Sequence, residues 1–169
     1  MSLGIIFNNK TVLVTGHTGF KGSWLTLWLK SLGAQVIGLS HDTPSKPSHF
    51  EVANISEHIE DNRIDIRDAN KISELILDVQ PDFVFHLAAQ ALVRTSYGAP
   101  LETITTNALG TANVLDSLRK IEKNVVAVMI TSDKAYFNDG RKGSYKESDL
   151  LFGEDPYSSS KSCCEIIAN

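Results

Sequence analysis

Apolar runs of strand length alternate along the chain with segments of helical period, the pattern of βαβ units and a parallel sheet. The first run, Thr11-Val12-Leu13-Val14-Thr15, is continuous and suits a strand covered on both faces. Over residues 21–32, Trp24, Leu25, Trp28, Leu29 and Leu32 recur at three- and four-residue steps, which predicts a helix that buries this stripe and stops at Gly33. A second strand is expected over 35–39. A polar stretch with Pro44 and Pro47 follows, then a short helix over 49–53 and a short third strand over 63–66. Asp68 caps a helix with Ile72, Leu75, Ile76 and Val79 on one face, and Pro81 ends it before a strand over 83–87. Pro100 opens a long helix to 118 with Leu101, Ile104, Ala108, Ala112, Leu115 and Leu118 in register, and 125–130 reads as the fifth strand. Residues 136–154 are polar and glycine-containing, as an active-site loop would be. Asp155-Pro156 then caps and starts a last helix from Tyr157. The order predicts a doubly wound α/β domain with a parallel sheet, the Rossmann fold, extending over residues 1–169.

Composition narrows what such a domain does. The chain has 169 residues, 42% hydrophobic and 21% charged, with a net charge of −4. That acidity argues against nucleic acid and against a membrane surface as partners. No apolar run approaches the ~20 residues that cross a bilayer. The start, Met1 to Phe7, is too short and lacks the basic residues of a secretory signal, so a cytoplasmic protein is expected. Cys163 and Cys164 are adjacent, a spacing that neither bridges nor completes a metal site. They are expected to be reduced thiols on a helix, and no metal is expected.

Four segments carry candidate chemistry. Thr15-Gly16-His17-Thr18-Gly19-Phe20-Lys21-Gly22 joins the first strand to the first helix, where a dinucleotide pyrophosphate sits on a helix N-terminus. A side chain at Gly16 or Gly19 would crowd the phosphates or the turn, and Gly22 lets the helix press against the strand; Phe20 and Lys21 complete this cofactor-binding turn. Tyr157 and Lys161, four residues apart at a helix start, share a face, so the ammonium favours the phenolate of an acid/base tyrosine. Thr131-Ser132-Asp133-Lys134-Ala135-Tyr136 lies at the carboxyl end of the fifth strand, where ligands of open α/β sheets bind; the alternative is plain strand-end turn chemistry. Leu87, Ala88, Ala89 and Gln90 end the fourth strand with side chains small enough for close cofactor approach, and Arg94 and Tyr97 lie beyond. Asn107 is divided between a scaffold role and shaping the site.

The spacing Gly-x-x-Gly-x-x-Gly, the Tyr-x-x-x-Lys pair, Asp65-Ile66-Arg67-Asp68, His86 to Gln90, Thr106-Asn107 with Gly110-Thr111, and Asp155-Pro156-Tyr157-Ser158 together resemble the extended short-chain dehydrogenases, the sugar-nucleotide epimerases and dehydratases. The resemblance runs from about residue 8 to the last residue and corresponds to the first half of a family member, without the C-terminal substrate-binding part. Lys134 after Asp133 resembles the branch that acts on CDP-glucose, where other 4,6-dehydratases carry Glu. The resemblance implies a 4,6-dehydratase that recycles NAD internally. Tyr157, beside Lys161, would take the 4-hydroxyl proton, and Ser132 would bond near the 4-oxygen. Lys134, or a base it positions, would remove the C5 proton, and Asp133 would protonate the departing 6-hydroxyl; burial is expected to raise the pKa of Asp133 and lower that of Lys134 for these tasks. It further implies Asp42 or Ser40 at the cofactor ribose, Asp65 and Ile66 against the adenine, and Gln90, Arg94 and Asn107 as substrate contacts. A homodimer through the long helix and the Tyr157 helix is expected. A non-catalytic NAD-binding fragment, and an epimerase or reductase of the same fold, are the competing expectations.

Overall fold

The computed structural model describes residues 3–169; Met1 and Ser2, with the extreme start read above for a signal, lie outside the described residues. The described elements run α1 (Leu3–Phe7), β1 (Thr11–Thr15), α2 (Phe20–Ser31), β2 (Gln35–Ser40), α3 (His49–Val52), β3 (Glu60–Arg63), α4 (Ala69–Val79) and β4 (Phe83–His86). After β4 come α5 (Val93–Gly98), α6 (Pro100–Ile104), a π-turn over Thr105–Leu109, α7 (Gly110–Leu118), β5 (Val126–Met129) and α8 (Pro156–Ala168). The five strands are parallel in the order β3-β2-β1-β4-β5. The chain therefore winds outward in one direction from β1 and in the other from β4. Between these two strands lies the crevice in which doubly wound sheets bind ligands.

The register explains the continuous apolar strands. Leu13 stands opposite Ile37 and Val84, while Val12 and Val14 stand opposite Val36, Phe83 and Phe85. One face packs Leu13, Leu39 and Val84 against Ile72, Leu75 and Ile76 of α4 and Val114 of α7. The other packs Val12, Val14 and Val36 against Leu29, with Phe7 of α1 tilted on Phe83 at 5.0 Å between ring centroids. Helices on both faces leave a central strand no solvent side, so alternation disappears.

Three expectations are corrected. The third strand is Glu60–Arg63, three residues earlier than read, because Ile37–Ser40 of β2 pairs with it there. It is a polar edge strand, and Ile64 and Ile66, which suggested the later position, turn in beneath α4 and α7. In α2, Trp24 and Trp28 are over half exposed and the buried side is Gly22, Ser23, Thr26 and Leu29. The long helix shows the same inversion: Leu101 and Ile104 face solvent, while Thr103, Asn107, Gly110, Thr111, Val114 and Ser117 face inward. Small inward residues let these helices approach closely, and the buried Thr103 and Ser117 hydroxyls donate to carbonyls one turn back, at 2.9 and 2.8 Å. The π-turn interrupts the long helix and aims Asn107 inward. The helices α1 and α5 and a 3₁₀ turn at Ile55–Glu57 were not anticipated, being too short for a periodic signal.

The α2 inversion is measurable by urea unfolding. Leu29→Ala should cost ~2–5 kcal/mol, whereas Trp28→Ser should change stability by no more than ~0.5 kcal/mol; equal losses would restore the tryptophan stripe to the core.

Candidate functional site

The glycine turn is built by backbone contacts. Gly16 has φ +74° and its amide donates to the Leu39 carbonyl at 2.7 Å. A Cβ at Gly16 would stand 2.7 Å from the Ala88 nitrogen, and one at Gly22 only 2.0 Å from the Gly16 carbonyl oxygen. Gly22 thus serves contact between the helix and the turn itself, rather than the helix–strand packing expected. Gly19 precedes α2 without any side-chain cap, and no acidic residue occupies the first turn. The amides there are free to meet an anion, and the helix dipole favours one.

Beneath the turn lies a polar support that the sequence did not reveal. The Thr18 amide donates to Ser40 Oγ at 3.4 Å, and Ser40 Oγ pairs with His17 Nδ1 at 3.0 Å. His17 Nε2 reaches Asp61 Oδ1 at 2.9 Å, and Asp61 also pairs with Arg63. Burial holds the His17 pKa below its ordinary value despite the Asp61 charge beside it. Ser40 is consequently a buried prop for the turn. Asp42, three-quarters exposed at the end of β2, keeps its carboxylate available. Asp65 is clamped by Arg67, whose guanidinium hydrogen bonds hold the carboxyl below the usual range. Ile66 is buried in the core, where its side chain fills the space above Gly110.

Helix α8 gathers the second half of the site. The Asp155 carboxylate accepts from the Ser158 amide at 2.9 Å and its hydroxyl at 2.6 Å, and Pro156 opens the helix, as expected from sequence. The Tyr157 amide donates to the buried Ser96 Oγ of α5 at 3.2 Å. Lys161 is 6% exposed and donates from Nζ to the Ile130 carbonyl at 3.1 Å, and burial lowers its pKa. The Ser162 hydroxyl donates to the Ala135 carbonyl at 2.7 Å, which docks α8 on the short 3₁₀ turn Asp133–Ala135. A cleft of about 120 Å³ runs between this turn and the start of α8, lined by Asp133, Lys134, Tyr136, Asp155 and Ser158.

The fold brings Ser132, Asp133, Lys134, Tyr157 and Lys161 to one side of the sheet, at the carboxyl ends of the strands. Two features differ from expectation. Asp133 and Lys134 are exposed rather than buried. Ser132 Oγ accepts from the Lys134 amide and donates to Asp133 Oδ1, both at 3.2 Å, so strand-end turn chemistry coexists with any catalytic role.

Asn107 is 1% exposed, and its amide is spent on scaffold bonds. It accepts from the Gln90 amide at 2.8 Å and donates to the Gln90 carbonyl at 3.1 Å and to Ser160 Oγ at 2.8 Å. Asn107 therefore positions the loop after β4 against α8, the scaffold role of the two expected. The Gln90 side chain folds back too, donating to Thr103 Oγ1 at 2.9 Å and accepting from the Leu92 amide at 2.6 Å. Leu87 and Ala88 border the glycine turn, Ala89 follows them, and Arg94 is exposed on α5. Sequence reasoning gave no role to Ser96, Ser160 or Ser162; serines crowded into one helix, against its propensity, were the available signal.

A parallel sheet of this order, with a glycine turn at its switch point and a Tyr/Lys helix beyond β5, defines a Rossmann-type domain of the kind found in sugar-nucleotide epimerases and dehydratases. The family model described as GDP-mannose 4,6 dehydratase matches residues 13–169, and the chain belongs to that family. It is 45% identical over 163 residues to CDP-glucose 4,6-dehydratase of Salmonella typhimurium, covering 96% of this chain and 45% of that protein. Epimerase Mth375 of Methanothermobacter thermautotrophicus superposes with a TM-score of 0.82 at 29% identity, over 98% of this chain and 48% of that one. DesIV of Streptomyces venezuelae, a dTDP-glucose 4,6-dehydratase solved with NAD bound, gives 0.78 at 27% identity, over 94% and 50%. The chain spans about half the length of the curated relatives it matches. Among the described residues no helix is long and apolar enough to cross a membrane.

Histidine burial sets an acid limit on this architecture. His86 is 3% exposed, and burial, reinforced by the Lys161 charge, lowers its pKa from 6.5 to about 3. Below pH 6.5 the unfolded chain takes up a proton that the folded chain refuses, so stability is full above that pH and is lost as pH falls toward 3. Urea unfolding should show a loss on the order of 2 kcal/mol between pH 7.5 and pH 5, most of it absent in His86→Gln. An unchanged slope in that variant would assign the loss to other groups.

Proposed function

We propose that this chain is the dinucleotide-binding part of a sugar-nucleotide 4,6-dehydratase that uses NAD and acts on CDP-glucose. The observation that carries the reading is the docking of α8, with Tyr157 and Lys161 on one face, onto the Ser132-Asp133-Lys134 turn across from the Gly16–Gly22 loop. The 45% identity to a CDP-glucose enzyme supports the choice of nucleotide.

The residues present fit the cofactor. The space that a Cβ would fill at Gly16 and Gly22, and the uncapped N-terminus of α2, suit a pyrophosphate, with Phe20 and Lys21 supplying first-turn amides. Asp42 suits a ribose hydroxyl, Asp65 and the Ile66 backbone the adenine, and Leu87 to Ala89 the approach to the nicotinamide. Bound there, NAD supplies a reversible hydride acceptor. Tyr157 takes the proton from the sugar 4-hydroxyl, helped by the buried Lys161 ammonium one turn along the same helix face. Ser132 bonds the 4-oxygen. Once C4 is a ketone the C5 proton is acidic, and Lys134 removes it while Asp133 delivers a proton to the departing 6-hydroxyl. Arg94 is exposed and cationic, suited to a nucleotide phosphate, and Gln90 and Asn107 lie in the loop and helix beside it. The outward apolar residues Leu101, Ile104, Ile166 and Ile167 of α6 and α8 support a homodimer through these helices.

Two measurements test the reading. NAD at 100 times its Kd should stabilise the chain by ~2.7 kcal/mol, seen as a rise in melting temperature of several degrees. A full-length version incubated with CDP-glucose should form a 4-keto product detected by its absorbance in alkali; epimerised sugar without that product would make the protein an epimerase, and neither product would leave a binding domain. Lys134→Glu probes the nucleotide-specific branch. Deuterium incorporation at C5 and turnover with CDP-glucose should fall by roughly 10²–10⁴-fold, the contribution of a general base. Unchanged exchange would remove Lys134 from that role.

A further inference from the structure

A line of buried polar groups that the proposed chemistry does not use joins the two halves of the site. The Ala88 amide donates to Thr15 Oγ1 at 3.1 Å, and Thr15 Oγ1 lies 2.8 Å from His86 Nδ1. On the other side of the ring, His86 Nε2 is 3.1 Å from Thr111 Oγ1, which is 3.4 Å from Cys164 Sγ; the thiol donates to the Asn107 carbonyl at 3.3 Å. Thr15, His86, Thr111, Cys164 and Asn107 are all at most 3% exposed.

Counting protons gives the line one direction. Among the described residues His86 Nδ1 is the acceptor within reach of the single Thr15 hydroxyl proton, whose oxygen accepts from Ala88, so the proton goes to Nδ1, which is then unprotonated. The Cys164 proton goes to the Asn107 carbonyl, so the sulfur accepts from the Thr111 hydroxyl, and the Thr111 oxygen accepts from His86 Nε2–H. Reasoning from either end arrives at the same neutral tautomer. The reverse tautomer would leave the Thr15 hydroxyl without an acceptor in the interior, at full desolvation cost.

The two ends of the line are what matter. Ala88 is the backbone against which Gly16 closes. Asn107 holds both the Gln90 backbone and Ser160, one turn from Tyr157 and adjacent to Lys161. We infer that His86 is a positioning residue: locked as the Nε2–H tautomer, it ties the glycine turn to the helix that carries Tyr157 and Lys161 and so sets their spacing. The inference rests on reading the turn as a dinucleotide site, and it adds a group with no contact to cofactor or substrate. Around the ring, β1 contributes only the Thr15 hydroxyl and α7 only the Thr111 hydroxyl. Helix α8 brings the Cys164 thiol and the one nearby charge, Lys161, which opposes protonation.

Nitrogen-15 spectra of the histidine rings test the tautomer in the chain as it stands. His86 should show Nδ1 unprotonated and Nε2 protonated, unchanged from pH 5 to pH 9. An Nδ1–H form, or a titration near pH 6.5, would overturn the inference. Thr111→Val removes the hydroxyl on the α7 side, three hydrogen bonds from Ala88. The Ala88 amide resonance should move and the Kd for NAD should rise about fivefold, the loss of one neutral hydrogen bond, with both restored in Thr111→Ser. A folded Thr111→Val protein with the Ala88 resonance and Kd unchanged would reduce His86 to core filling. If the unsubstituted chain binds no NAD, the dinucleotide reading fails, and the His86 and Ala88 spectra alone decide the positioning role.

Discussion

The rest of the structure depends on a backbone-to-backbone contact at the middle of the sheet, where Gly16 closes against Leu87 and Ala88. Its left-handed φ turns the chain out of β1, and its amide bonds to Leu39 while the Leu87 amide bonds to Thr15. Three strand ends, β1, β2 and β4, therefore meet within a few ångströms, and no side chain fits between them. The start of α2 is brought to the same point because Gly22 rests on the Gly16 carbonyl. A substitution that opened this contact would shift the start of α2 and the strand ends together, because both rest on the Gly16 backbone.

A crevice made by such close backbone approach leaves little apolar surface near it, and polar groups hold the surrounding elements instead. His17, Ser40 and Asp61 tie the turn to β2 and β3; Thr15, His86, Thr111 and Cys164 tie it to the long helix and α8; Asn107 and Ser160 tie the loop after β4 to the Tyr157 helix. Buried and satisfied, these groups are directional in a way that apolar packing is not. The proposed chemistry calls for this, because it asks a phenol, an ammonium and a carboxyl from separate elements to address neighbouring atoms of one sugar ring. Asp133 and Lys134, by contrast, leave the strand-end turn open to solvent.

The inverted faces of α2 and the long helix follow from the same geometry. A helix that must lie close to a strand or to another helix presents Gly, Ser and Thr inward beside a few apolar residues such as Leu29 and Val114, while Trp24, Trp28, Leu101 and Ile104 fall on the outer side. Trp24, Trp28, Leu101 and Ile104 were legible as a periodic stripe, but periodicity does not say which side of a helix meets the sheet. Only the packing decides between a stripe that fills the core and one left for a second surface.

From the sequence alone, the order of five strands and their helices was legible, as were the glycine turn, the Asp155-Pro156 start of α8 and the Tyr157/Lys161 pair. These depend on interactions within a few residues: strand propensity, capping, a proline's missing N–H, the three- and four-residue repeat of a helix. The third strand's true position, the scaffold bonds of Ser40 and Asn107, and the line through His86 were decided by tertiary structure. Each joins residues 17 to 73 positions apart. A hydroxyl or an imidazole reads the same in a sequence whether its partner is a ligand, a backbone carbonyl or another buried side chain, and only the folded chain supplies that partner.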